Sequence, residues 1–361
     1  MKVIISAGGT GGHIYPALAI INKIKEIEPK SEFLYIGTDN RMEKDLIPSF
    51  NIPYVSLHVT GFDRKHLLNN FKTLSNFLKA KSKCKKIIKE FNPDVVIGCG
   101  GYVTAPVIST AHNLGIKTFI HEQNSVVGLA NKFLSRYATK VGVSFESTIK
   151  DFPKDKAILT GNPCSEKAIS LPSAKKEEYK LSKNKKLVLI VMGSLGSRTI
   201  NDMIYKNLSL FKDKDYEVLF VTGNSYYEKL DKKKEYKNVK IVPFIYELPR
   251  VMKMSDLIVS RAGASTMSEI MVLDIPTIFI PSPYVTNNHQ YKNAMDLYEK
   301  NAGILIEEKD LTMDSLISNI DKCFNDEKYY KDIKKNLKTL GIKDSGERIY
   351  KILKSMTRDD K

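Results

Sequence analysis

The chain has 361 residues, enough for two domains of ordinary size, and its 42% hydrophobic and 27% charged content is that of a soluble globular protein. It contains no apolar run long enough to span a bilayer, and Met1 leads almost at once into a strand pattern where a signal peptide would need an apolar stretch. Cys84, Cys99, Cys164 and Cys323 have neither C-x-x-C pairing nor metal-ligand spacing, so reduced thiols in a cytoplasmic protein are expected.

The net charge of +16 raises the question of nucleic acid, but the excess is scattered lysine, as in Lys183-Asn184-Lys185-Lys186 and Lys232-Lys233-Lys234. Such runs read as solvated faces, and no dedicated nucleic-acid surface is expected.

In chain order, Lys2-Val3-Ile4-Ile5 predicts a strand, Ser6 to His13 a glycine turn, and Ala17, Leu18, Ile20, Ile21 and Ile24 an amphipathic helix. A strand, a glycine turn and a helix open a Rossmann-like unit, whose helix start favours a phosphate. A dinucleotide fingerprint fails, because Ile14 stands where the third glycine belongs after Gly9 and Gly11. A P-loop fails as well, because His13 and Ile14 stand in place of Lys and Ser or Thr. His13 at the loop tip suits proton transfer, while a local hydrogen bond at the helix start is the plainer alternative.

Further strands are predicted at Phe33-Leu34-Tyr35-Ile36, at Asp94-Val95-Val96-Ile97 before Gly98-Cys99-Gly100-Gly101, and at Thr118-Phe119-Ile120 before His121-Glu122-Gln123-Asn124. Between them, Arg64 to Lys89 mixes lysines with Leu67, Leu68, Phe71, Leu74, Phe77 and Leu78 and contains no acid. That stripe fits either an anionic lipid surface or an ordinary core-facing helix. After Gly161-Asn162-Pro163, the polar stretch from Ser165 to Lys186 reads as a link. The pattern then restarts with Leu187 to Val191 and Gly193-Ser194-Leu195-Gly196-Ser197, followed by strands near 218–221, 239–242, 257–259 and 277–280. Alternating strands and helices imply two parallel sheets, with ligands at the carboxyl ends of the strands.

Ser260 to Glu269 follows a strand with small residues whose N–H groups suit a phosphate. Glu269 suits ribose hydroxyls there, although Thr266-x-x-Glu269 also spells a capping box. Ser282 to Gln290 is rich in amides suited to sugar hydroxyls. Asp213-Lys214-Asp215 resembles a manganese-binding D-x-D, but it precedes a strand amid lysines and reads as a solvated turn.

Gly8-Gly9-Thr10-Gly11-Gly12-His13, Gly100-Gly101-Tyr102, His121 to Asn124, Gly161-Asn162-Pro163, Gly193-Ser194 and Ser260 to Glu269 occur in this order over nearly the whole chain. Together they resemble the peptidoglycan N-acetylglucosaminyltransferases that turn lipid I into lipid II. The resemblance implies an α/β GT-B fold of two Rossmann-like parallel-sheet domains facing across a cleft. It implies an acceptor- and membrane-facing domain over 1–163, a UDP-GlcNAc-binding domain over 164–340, and a helix over 341–361 packing back on the first.

By the same resemblance, Ile245 meets the uracil, Glu269 the ribose, and Ser194 with Ala264, Ser265, Thr266, Met267 and Ser268 the diphosphate. Asn124 and Gln290 meet the N-acetylglucosamine, while Thr10, Gly11 and Gly12 line the cleft. His13 or Glu122 is the catalytic base, and Tyr102 and Asn131 line the acceptor side. The implied reaction is inverting, with no cofactor and no metal. Its partners are UDP-GlcNAc, an undecaprenyl-diphosphate-linked muramoylpeptide and the anionic inner leaflet, on whose cytoplasmic face the protein is peripheral. The family often has arginine two residues after Gly-Asn-Pro; here Ser165 stands there, so that arginine's contact is not carried over. The alternatives are a related GT-B transferase with a different lipid or soluble acceptor, and a basic non-catalytic nucleotide- or nucleic-acid-binding protein.

Overall fold

The computed structural model describes residues 1–61, 70–193, 196–231 and 236–358. Ser194, Leu195, the lysines at 232–234 and the 64–69 part of the basic segment lie outside the described residues. The chain divides into two compact units, Met1–Cys164 with Asp344–Lys361, and Ser165–Lys343.

The first unit runs β1 (Lys2–Ser6), α1 (Gly11–Ile27), β2 (Glu32–Thr38), α2 (Glu43–Leu46), β3 (Tyr54–Leu57), α3 (Asn70–Phe91), β4 (Val95–Gly98), α4 (Thr104–Asn113), β5 (Lys117–Glu122), α5 (Leu129–Leu134), β6 (Lys140–Val143) and β7 (Ala157–Leu159). Its seven strands pair in parallel in the order β3-β2-β1-β4-β5-β6-β7. The central strands are buried on both faces, which is why they read as continuous apolar runs without alternation.

The second unit continues with α6 (Cys164–Ser170), β8 (Lys186–Val191), α7 (Arg198–Lys206), β9 (Tyr216–Val221), α8 (Asn224–Tyr227), β10 (Val239–Val242), α9 (Leu248–Met254), β11 (Leu257–Ser260), α10 (Ala264–Leu273), β12 (Thr277–Phe279), α11 (His289–Tyr298), β13 (Ile304–Leu305), α12 (Met313–Asn325) and α13 (Glu327–Leu340). Its parallel sheet has the order β10-β9-β8-β11-β12-β13, the doubly wound arrangement. The stretch read as a link from Ser165 to Lys186 is folded into this unit, beginning with most of α6.

The last helix, α14 (Ser345–Arg358), belongs to the first unit. Ile349, Leu353 and Met356 enter the same core as Ile20, Ile21 and Ile24 of α1. Glu28, just past α1, accepts from Lys354 Nζ, from the Tyr350 hydroxyl at 2.7 Å and from the Met1 amine at 3.1 Å. The Lys354 bond leads in holding its carboxyl down at about 2.

On the other face of the same sheet, α3 contributes Ala80, Cys84 and Ile88 to the core. Phe71, Leu74 and Leu78 are 75%, 56% and 58% exposed, so this apolar stripe faces away from the core. The core-facing reading therefore fails for these three residues, while Phe77 is half-buried and Leu67 and Leu68 lie outside the described residues. Lys83 Nζ donates to the Ser56 carbonyl at 2.8 Å and joins α3 to β3. Among the described residues no helix is long and apolar enough to cross a membrane.

Candidate functional site

In the first unit the site is built on the loops that follow β1, β4 and β5. Thr10 is the N-cap of α1 in extended conformation, and its hydroxyl makes no cap bond. Thr10 and Gly12 are exposed, which leaves the amides of the first turn open at the positive end of the helix. Pro16 has no N–H, so the Gly12 carbonyl has no donor four residues on.

His13 is half-buried, with Nδ1 3.0 Å from the Gly8 carbonyl oxygen. A carbonyl only accepts, so Nδ1 carries the hydrogen, and the tautomer this bond selects has its lone pair on Nε2. Two glycines after β4 make room for this. Gly100 has φ +107°, and a Cβ there would stand 2.7 Å from His13 Cδ2; Gly101 has φ +89°, and its Cβ would stand 2.4 Å from the Gly8 oxygen. Both the backbone angle and the close approach demand glycine.

Glu43 carries weight that sequence reasoning did not give it. The fully buried carboxylate accepts from the Gly9 N–H at 3.2 Å, the Thr38 N–H at 3.1 Å and the Thr38 hydroxyl at 2.7 Å, and so braces the glycine loop. Only an acid in a turn after a strand could have hinted at it.

Glu122 is 2% exposed and fully engaged. Its Oε1 accepts from the Asn124 N–H at 3.1 Å and Nδ2 at 3.3 Å, and its Oε2 from the Gly128 N–H at 2.9 Å and Asn131 Nδ2 at 3.0 Å. Asn131 is buried too and also donates to the His121 carbonyl at 3.0 Å, so it holds the loop from within. Burial pushes the His121 ring down to about 4, against the pull of the Gly161 carbonyl, and keeps it neutral. Tyr102 is 57% exposed, and its ring packs against Gly61.

In the second unit the corresponding loops follow β8, β10, β11 and β12. Helix α10 begins at Ala264 with Gly263 as an uncapped N-cap, and its first bonded amide is Met267, which donates to the Gly263 carbonyl at 2.9 Å. The amides of Ala264, Ser265 and Thr266 therefore make no intrahelical bond. Thr266 is the third helical residue and Glu269 lies in the second turn, so the capping-box reading is corrected. Met267 is wholly buried, and the Ser268 hydroxyl donates back to the Ala264 carbonyl at 2.9 Å, so neither offers its side chain to a ligand. Glu269 remains half-exposed as a residue while its crowded carboxyl is pushed up to about 7 by burial, opposed by the Lys167 charge.

Ile245 is half-buried in the loop between β10 and α9, flanked by exposed Phe244 and Tyr246. The Gln290 carbonyl accepts from the Ser282 N–H at 2.8 Å, which leaves its Nε2 as a donor. Asn287 and Asn288, at φ 56° and 51°, form the tight left-handed turn that precedes it. Asp213 and Asp215 precede β9, at the end of the sheet opposite these loops.

The chain matches the N-terminal domain of glycosyltransferase family 28 over residues 3–143 and the C-terminal domain of that family over residues 187–349. It is 47% identical over 363 aligned residues to UDP-N-acetylglucosamine--N-acetylmuramyl-(pentapeptide) pyrophosphoryl-undecaprenol N-acetylglucosamine transferase 1 of Bacillus cereus, covering 99% of this chain and 100% of that one. The same-named transferase of Bacillus pumilus is 45% identical over 99% of this chain and 100% of its own length. Among solved structures, Acinetobacter baumannii MurG superposes with a TM-score of 0.79 at 26% identity, covering 98% of this chain and 99% of that one. The Neisseria meningitidis UDP-GlcNAc 2-epimerase, at 16% identity, a TM-score of 0.69 and coverage of 98% of this chain and 100% of that one, shares the fold. With two Rossmann-like units and full-length relatives of this kind, the chain belongs to glycosyltransferase family 28, in its branch of N-acetylmuramyl-(pentapeptide) pyrophosphoryl-undecaprenol N-acetylglucosamine transferases.

Proposed function

We propose that the protein transfers N-acetylglucosamine from UDP-GlcNAc to the 4-hydroxyl of the muramyl sugar of lipid I, giving lipid II with inversion at the anomeric carbon. The observation that carries the chemical step is the His13 ring, whose Nδ1–H is fixed on the Gly8 carbonyl and whose Nε2 is left to take the acceptor proton. Glu122 is a weaker base candidate, because four donors already occupy its two oxygens. We assign it, with Asn131, the positioning of the Asn124 loop.

On the donor side, negative charge grows on the departing UDP as the new bond forms. The open amides of α10 and the positive end of its dipole would meet that charge without reorganising. Glu269 would accept ribose hydroxyls in its ionised form, Ile245 would offer backbone groups to the uracil, and Gln290 Nε2 with Asn124 would meet the sugar. Ser194, outside the described residues, would be a diphosphate contact, and Tyr102 would line the acceptor side.

The outward apolar stripe of α3, with Lys79, Lys85, Lys86 and Lys89 exposed along the same helix, supports peripheral docking on the anionic cytoplasmic leaflet where an undecaprenyl acceptor resides. The test is direct: purified protein, UDP-GlcNAc and a short-chain lipid I analogue should release UDP and form a β-1,4-linked disaccharide. No release with that acceptor, alongside turnover on another, would replace this reading with a related transferase.

A further inference from the structure

Arg261 stands between β11 and the turn that opens α10, where a cation beside a diphosphate seat invites the role of phosphate ligand. Its contacts point elsewhere. The residue is 9% exposed. Its Nη1 donates to the Ile280 carbonyl at 3.1 Å, just after β12, and lies 2.6 Å from Glu308 Oε2, beyond β13. Its Nη2 donates to the Ser197 hydroxyl oxygen at 3.0 Å, at the start of α7 after β8. One buried guanidinium thus ties together the carboxyl ends of β8, β11, β12 and β13.

Ser197 supplies an independent sign. It is the N-cap of α7, with the extended backbone such a residue adopts, and serine is favoured there because its hydroxyl accepts a first-turn N–H. Here no cap bond forms, and the hydroxyl oxygen is turned to Arg261 instead. From the other side, fully buried Asn293 donates to the Ala262 carbonyl at 3.2 Å. The backbone leading into the open amides of α10 is therefore held by two buried side chains.

We infer that Arg261, balanced by Glu308 and tethered to Ser197, is a positioning residue that fixes the amide cradle of α10 relative to the loop after β8, and is not itself a ligand of the diphosphate. Amide donors stabilise a developing charge only if they are already aimed at it, and a rigid frame between the strand ends provides that aim. The inference rests on reading the α10 turn as the diphosphate seat.

The test compares Ser197→Ala, Glu308→Gln and Arg261→Lys by thermal unfolding, by UDP titration calorimetry, and by hydrogen exchange at the Asn201 and Met267 amides, which bond the Ser197 and Gly263 carbonyls at 2.8 and 2.9 Å. Ser197→Ala loses no cap but leaves a buried guanidinium N–H unsatisfied, so it should melt slightly below the wild type, exchange faster at both amides, and bind UDP up to about tenfold more weakly, as expected for one lost charge-assisted bond. Glu308→Gln should weaken UDP binding further, and Arg261→Lys should fail to preserve it, because a lysine lacks the planar fork. Were Arg261 a phosphate ligand, Glu308→Gln would free it and tighten UDP binding. That result overturns the inference, as does a Ser197→Ala protein with unchanged UDP affinity and exchange. A wild type that binds no UDP, while Ser197→Ala still speeds exchange, would remove the diphosphate reading and leave the tether in place.

Discussion

Two side chains illustrate how environment separates roles among residues of similar chemistry. Glu122, at the carboxyl end of β5, and Glu269, in the second turn of α10, are both carboxylates, yet Glu122 is saturated with donors, and the Glu269 carboxylate has no hydrogen-bonding partner among the described residues. Burial without a partner penalises the charged form, and the Glu269 carboxyl rises from 4.5 to about 7. The sign follows from linkage: the folded protein binds more protons than the unfolded chain between these values, so this group lowers stability as pH rises from 4.5 through about 7. In the role proposed for Glu269, the ionised form would accept ribose hydroxyls. UDP affinity should therefore increase from about pH 6 to about pH 8 by more than in Glu269→Gln, which should bind UDP weakly throughout and unfold at higher temperature than the wild type at the alkaline end. Calorimetry and melting curves at both pH values check this; equal pH dependence in the two proteins would deny Glu269 the ribose.

At the scale of elements, α3 and α14 show opposite uses of an apolar face. Helix α14 buries Ile349, Leu353 and Met356, each contributing roughly 1.5–3 kcal/mol, and is fastened at Glu28. Glu28 has a depressed pKa, so its contribution is fully present above the ordinary 4.5 and is lost as pH falls through about 2. The stability advantage of the wild type over Glu28→Gln should shrink across that window and vanish at its acid end, as followed by far-ultraviolet circular dichroism. Helix α3 instead leaves Phe71, Leu74 and Leu78 uncovered. Leu74→Glu with Leu78→Glu should leave the melting temperature nearly unchanged, since exposed positions contribute little, and should abolish sedimentation with anionic vesicles. Retained vesicle binding would remove α3 as the docking element.

The buried strands and glycine turns were legible because each carries a strong local signal: continuous β-branched runs for β1, β4, β8 and β11, and Gly100-Gly101 for a positive-φ turn. The short strands β3, β6, β7 and β13 escaped notice, because two to four residues at the sheet margins carry too little periodicity to stand out. The capping-box error at Thr266 has a similar origin. The pattern is a local one, and the helix start was set earlier by Gly263 and the end of β11. Glu43 and Arg261 were missed because their partners come from separate loops that only the folded sheet brings together.

For the whole molecule, the two units divide the chemistry. The first offers a tautomer-fixed histidine, a glycine loop and an outward apolar helix; the second offers open amides, a crowded carboxyl and amide side chains. Transfer then depends on a proton leaving the acceptor hydroxyl as UDP departs. The most direct measurement is steady-state transfer onto the lipid I analogue by His13→Ala, paired with UDP-GlcNAc binding to the same protein. Loss of the base should lower kcat by about a hundredfold or more, with donor affinity within about twofold of wild type. A variant that turns over at nearly the wild-type rate would contradict it.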